Sequence, residues 1–110
     1  MMIEHWNKLD EWLRAASGSD AALDQALSEA FGVKPAPFTS SVEACRDLVR
    51  QTLPEWRLHL GYGASGIFPY AALVTDGSRV ASDAPTVPLA VLRSAVAAKA
   101  LQAPSAPPPA

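Results

Sequence analysis

Three groups of residues in this chain have types and spacings that could do chemistry. The stretch LHLGYGASGIFPY, residues 58–70, holds Gly61, Gly63 and Gly66 in the spacing G-x-G-x-x-G. In a strand-to-helix turn such glycines let a pyrophosphate approach a helix N-terminus. Cys45 and Ser65 are conceivable nucleophiles, and His59 a conceivable acid–base group.

Each has to be weighed against the element that would position it. After Gly66 the chain reads IFPYAALV, where Pro69 and the β-rich composition exclude the helix a dinucleotide requires. The next acidic residues, Asp76 and Asp83, fall in turns and not at a ribose-binding strand end. Residues 61–66 are therefore expected to turn one strand into the next. No Lys-Ser/Thr pair follows them, which removes a Walker-type loop. Ser65 stands in G-A-S-G and lacks the G-x-S-x-G elbow. Cys45 falls on the apolar stripe of a helix, where core packing is expected. His59 shares a strand face with Arg57 and has no carboxylate at a telling spacing. No catalytic, cofactor-binding or metal-ligating set is assembled, and an enzyme is not expected.

The elements themselves follow from periodicity. Ile3, Trp6, Leu9, Leu13 and Ala16 recur at helical spacing, with Glu4 facing Lys8 and Asp10 facing Arg14 on the outer side. Ser17 to Asp20 break that helix, and Ser19 or Asp20 caps a second one burying Leu23, Leu27, Ala30 and Phe31 before Gly32. Pro35 and Pro37 make residues 33–40 a connector. Ser40 and Glu43 then read as a capping box opening a third helix, with Val42, Cys45, Leu48, Val49 and Leu53 inward and Pro54 as its stop.

From Glu55 the period becomes two. Trp56, Leu58, Leu60 and Tyr62 alternate with Arg57, His59 and Gly61 as a half-buried strand. Residues 67–74 form a second strand, and Asp76-Gly77 turns into a third around residues 79–82. Thr86 caps a last helix with Leu89, Leu92, Val96 and Ala100 buried. The expected fold is α+β: a three-stranded antiparallel sheet flanked by helices in the order α-α-α-β-β-β-α, a small α/β sandwich. Residues 1–101 make one domain, with an N-terminal amphipathic helix in 1–17 and a core in 20–101; residues 102–110 read as a flexible Pro/Ala-rich tail.

Composition bounds the function. With 110 residues there is room for one core, and alanine supplies much of the 49% hydrophobic content, so a thin core of small side chains is expected. A net charge of −2 argues against a nucleic-acid binder. Helix, three strands, helix is also the order of double-stranded RNA-binding domains, but DAPTVPLAV opens the last helix without the basic residues that grip phosphates there. No run of residues is apolar enough for a membrane span, and the acidic start MMIEHWNKLDEW is unlike a signal peptide. One cysteine permits no intrachain disulfide, and a cytoplasmic setting is expected.

From residue 20 to residue 101 the chain resembles the phage ABA sandwich domain family of small phage- and prophage-encoded proteins. The resemblance is carried by ALDQALSEAFGVKPAPFTSSVEACRDLVRQTLPEW and ASDAPTVPLAVLRSAVAAKAL. Within these, Phe38-Thr39-Ser40 precedes Val42-Glu43-Ala44, and Ala81 leads to Ala84-Pro85-Thr86 and Leu89-Ala90 with one residue more than the family pattern. The matched positions are caps, turn formers and core residues. They imply a fold and a phage setting, and transfer no catalytic residue.

The expected function is accordingly protein binding, as a phage or prophage accessory protein in the host cytoplasm that either inhibits a defence component or acts as an adaptor of host machinery. The alternatives are a virion assembly protein working as a homo-oligomer, and a small-ligand-binding protein using residues 61–66 with Arg57 and His59. The candidate partner contacts are Trp6, Trp12, Arg57, His59, Tyr62 and Tyr70, with no cofactor, metal, nucleic acid or membrane. Trp6 and Trp12 lie about 120° apart around their helix, so one docking stripe is not expected to bury both.

Overall fold

The computed structural model describes residues 3–62 and 66–102. The expected turn at Gly63, Ala64 and Ser65, the side chains of Ile3 and Glu4, and the tail from residue 103 lie outside the described positions. The elements are α1 (Ile3–Ala15), α2 (Ala21–Phe31), α3 (Val42–Thr52), β1 (Arg57–Tyr62), β2 (Pro69–Thr75), β3 (Ser78–Asp83) and α4 (Val87–Gln102). This is the expected α+β order, with one antiparallel sheet of order β1-β2-β3.

Local chemistry explains the boundaries. Asp20 takes an extended conformation and its Oδ1 accepts the Leu23 N–H at 3.0 Å, capping α2; Gly32 ends that helix at φ 69°. The cap of α3 differs from expectation by one residue. Ser41, not Ser40, is the N-cap, its Oγ accepting the Ala44 N–H at 3.1 Å. The reason lies in the linker: the N–H and hydroxyl of Ser40 both bond the Pro37 carbonyl, at 3.1 and 3.3 Å, and so close the proline turn. Glu43 becomes the second helical residue, where its charge still suits the helix dipole but no capping box forms. Thr86 caps α4 as expected, accepting the Leu89 N–H at 3.3 Å.

β2 is the central strand and begins at Pro69, where a missing N–H costs least. The Asp76-Gly77 loop pairs Thr75 with Ser78, and Gly77 supplies the positive φ of 87°. Cross-strand partners share a face, so Leu58, Leu73 and Val80 form one inward row, with Leu60, Ala71 and Ser82 beside it. α4 packs on this face against β2 and β3, and the Ser94 Oγ donates to the Ala71 carbonyl at 2.7 Å. α1 and α3 pack on α4 in turn, and α2 packs on α1.

α4 is therefore enclosed by sheet and helices. Leu89, Ala90, Val91, Leu92, Ser94, Ala95, Val96 and Ala98 are all buried, far more than the single stripe that the sequence pattern suggests. The core is not a thin alanine layer either. Leu13, Leu23, Leu27, Leu48, Leu53, Leu73, Leu89 and Leu92 are fully buried, each contributing about 1.5–3 kcal/mol of transfer free energy.

Candidate interaction surfaces

Among the described residues no helix lies over the second face of the sheet. Its rows are Arg57–Val74–Arg79, His59–Ala72–Ala81 and Gly61–Tyr70–Asp83. Arg57, His59, Arg79, Ala81 and Asp83 are exposed, while Val74 and Tyr70 are half-buried. Ala72 is shielded, yet it is no member of the hydrophobic core cluster. Strands about 4.8 Å apart put Arg57 and Arg79 roughly 10 Å from one another on rigid backbone, making one end of the face basic. Tyr70 closes the other end, its ring lying over Gly61.

The cross-strand neighbours of His59 on the face are Ala72 and Ala81, and Asp83 lies one row on, on the far strand β3. The glycine-rich stretch lies between two antiparallel strands, with Gly61 inside β1 and Gly66 at φ 70° ahead of β2. None of the described residues of that segment is helical, so they offer no helix N-terminus to a pyrophosphate.

Cys45 is fully buried between α3, the linker and α4. Its thiol donates to the Phe38 carbonyl at 2.9 Å and lies 3.7 Å from the Pro88 carbonyl. Burial, helped by the negative charge of Asp24, pushes its pKa from 9.0 to about 12. Such a thiol stays protonated at neutral pH and is held in the core by its bond to the Phe38 carbonyl. Among the described residues no group of three His, Cys, Asp or Glu side chains could hold a metal ion.

The six candidate contacts do not form one site. Trp6 is 4% exposed and packs edge-on against Phe31, with ring centroids 5.0 Å apart; it is core and offers no surface to a partner. Trp12 does turn outward, at 38% exposure, but its indole N–H donates to Asp20 Oδ2 at 3.1 Å. Together with the Leu23 N–H, which contributes more, that bond holds the Asp20 carboxyl below its usual pKa. Arg57, His59 and Tyr70 come together on the open sheet face. Tyr62 points to the opposite face, expected to be covered; there Leu60 is 36% and Tyr62 69% exposed, because α4 packs against β2 and β3 while their partners Ala71 and Pro69 on β2 are buried. Ile67 and Phe68, just before β2, are also exposed.

Two polar devices were missed by sequence reading. Thr39 ties the linker to α2: its N–H donates to Asp24 Oδ1 at 2.7 Å, and its Oγ1 accepts the Asp20 N–H at 2.8 Å. Arg93 reaches from α4 to the carbonyls of Leu13 and Arg14, each at 3.1 Å, and to that of Asp83 at 2.6 Å. Arg79, the second arginine of the open face, was legible by counting, since a two-residue Asp76-Gly77 turn sets it opposite Val74 and hence in line with Arg57.

Among the described residues no helix is long and apolar enough to cross a membrane. No family model, curated protein or solved structure matches this chain.

Proposed function

We propose that this chain is a small accessory protein that works by binding another protein, and that the open sheet face is its recognition surface. The carrying observation is the set Arg57, His59, Arg79 and Tyr70, held on paired strands with no helix above them among the described residues. Two arginines and an aromatic on a rigid platform are the residue types that dominate protein recognition. The basic end of the face suits an acidic partner surface, because complementary charge speeds encounter and rejects wrong partners. The resemblance of residues 20–101 to phage ABA sandwich proteins gives the setting: a phage or prophage protein in the host cytoplasm, inhibiting a component of host defence.

The test is charge reversal on the face. Arg57→Glu combined with Arg79→Glu is expected to abolish recovery of the protein that co-purifies with the wild-type chain in host cells, with circular dichroism and Tm unchanged. Recovery of the same partner by the double variant would overturn the reading.

A further inference from the structure

β1 is an outer strand of the sheet, and among the described residues no strand pairs with its outer edge. Residues 57–62 contain neither proline nor lysine, and the helix-side positions are Leu58, Leu60 and Tyr62. Natural edge strands are normally blunted by such residues or covered by another element. The other outer strand, β3, is flanked by α1, with Asp10 and Arg14 lining the cleft beside Val80 and Ser82. Along β1, by contrast, cover fades from half-buried Leu58 to Leu60 at 36% and Tyr62 at 69% exposure.

We infer that this edge receives a second copy of the chain, β1 against β1, antiparallel about a twofold axis at Leu60. Centred there, Leu60 faces the second copy's Leu60, and each Tyr62 faces the other copy's Leu58. All three apolar positions then lie on one side of a continuous six-stranded sheet. A shift of one residue would put His59 opposite Leu60 and throw the two helix layers to opposite sides. A centre on His59 opposes two imidazoles, and a centre on Leu58 sets Arg57 against His59.

The axis at Leu60 instead separates the two Arg57 side chains by six residues, roughly 20 Å along the strands. It also gives Tyr62 a seat. Beside Leu58 lies a groove of about 350 Å³ walled by Val49, Leu53 and Trp56, with Arg46 and Arg50 at its rim, where an aromatic ring finds both apolar contact and cations. The contact is isologous, each copy giving one tyrosine and one groove.

Leu60 and Tyr62 expose roughly 200 Å² of side chain on each copy, to which the two backbone edges and the groove walls add. The open faces of the two copies become one surface with two basic ends, so a bound dimer would be bivalent.

Cysteine cross-linking reads the register directly. An antiparallel pair brings opposed Cα atoms to about 5 Å, within disulfide reach, whereas the two Tyr62 positions would be some 13 Å apart. Leu60→Cys is expected to give a linked dimer on mild oxidation, Tyr62→Cys none alone, and a mixture of Leu58→Cys with Tyr62→Cys a linked pair. Buried Cys45 supplies no background. By light scattering the wild-type chain should have twice the 11.6 kDa chain mass, Tyr62→Glu the single mass and Arg79→Glu the double mass. A wild-type monomer at high concentration, a dimer that survives Tyr62→Glu, or linking by His59→Cys in preference to Leu60→Cys would overturn the proposal. None of these measurements involves another protein, so they fail or succeed independently of the recognition reading.

Discussion

The Tyr70 ring covers Gly61 across the β1–β2 pair: a Cβ built on the glycine would stand 2.8 Å from Tyr70 Cε1 and 3.1 Å from its hydroxyl oxygen. The first glycine of the G-x-G-x-x-G run is thus a seat for an aromatic ring, a known means of rescuing a glycine in an edge strand. Gly61→Ala must displace the ring and is expected to cost about 1 kcal/mol, the scale of a cross-strand pair. Chemical denaturation of the two chains measures it. An equal or greater stability for the alanine variant would mean that the ring is not held there.

Arg93 closes the C-terminal end of α1. The last carbonyls of a helix lack internal donors, and a guanidinium that reaches those of Leu13 and Arg14 both bonds them and meets the negative end of the helix dipole. Arg93→Ala should therefore cost about 2 kcal/mol, with Arg93→Lys intermediate because a single ammonium cannot span three carbonyls. Removal of residues 1–17 should cost far more, since Trp6, Leu9 and Leu13 leave the core with them. A truncated chain with an unchanged Tm would contradict this placement of α1.

The buried thiol predicts a pH dependence of definite sign. The folded-state pKa of Cys45 is about 12 against 9.0 for the free group, so below pH 9 its contribution to stability is complete. Above that pH the unfolded chain loses the proton first, and the contribution falls until the folded thiol also ionises. Between pH 9 and 11 the wild-type chain should lose stability relative to Cys45→Ala, whose curve lacks this component. Thiol reagents should likewise label native Cys45 only as fast as the chain opens, and rapid labelling at neutral pH would refute the burial.

The elements were legible because each carries its own local signal. Helical spacing marked α1 to α3, alternation marked β1, and Asp76-Gly77 marked the second hairpin, so the fold class followed from residue order. What failed were the features set by neighbours in space. Two adjacent serines can both cap α3, and only the Pro37 carbonyl, by engaging Ser40, leaves the role to Ser41. The alternation of β1 predicts an inner face but not where the helix layer ends, so Leu60 and Tyr62 read as half-buried and emerge exposed. The opposite error befell α4, whose enclosure by sheet and helices no sequence period reports. Of the candidate contacts, Arg57, His59 and Tyr70 met on one face because they share parity or register across β1 and β2. Trp6 could not be told from Trp12 until α1 was docked, although their angular separation already required different surroundings.

The central claim, that the uncovered sheet face is a protein-recognition surface, is tested most directly by photocross-linking in host cells. A photoreactive aromatic amino acid replacing His59 stands at the centre of the face, and one replacing the exposed Gln25 on α2 stands away from it. The account predicts a discrete cross-linked product containing a second, different protein from the His59 position and none from Gln25. Equal cross-linking from both positions, or products from Gln25 alone, would contradict it.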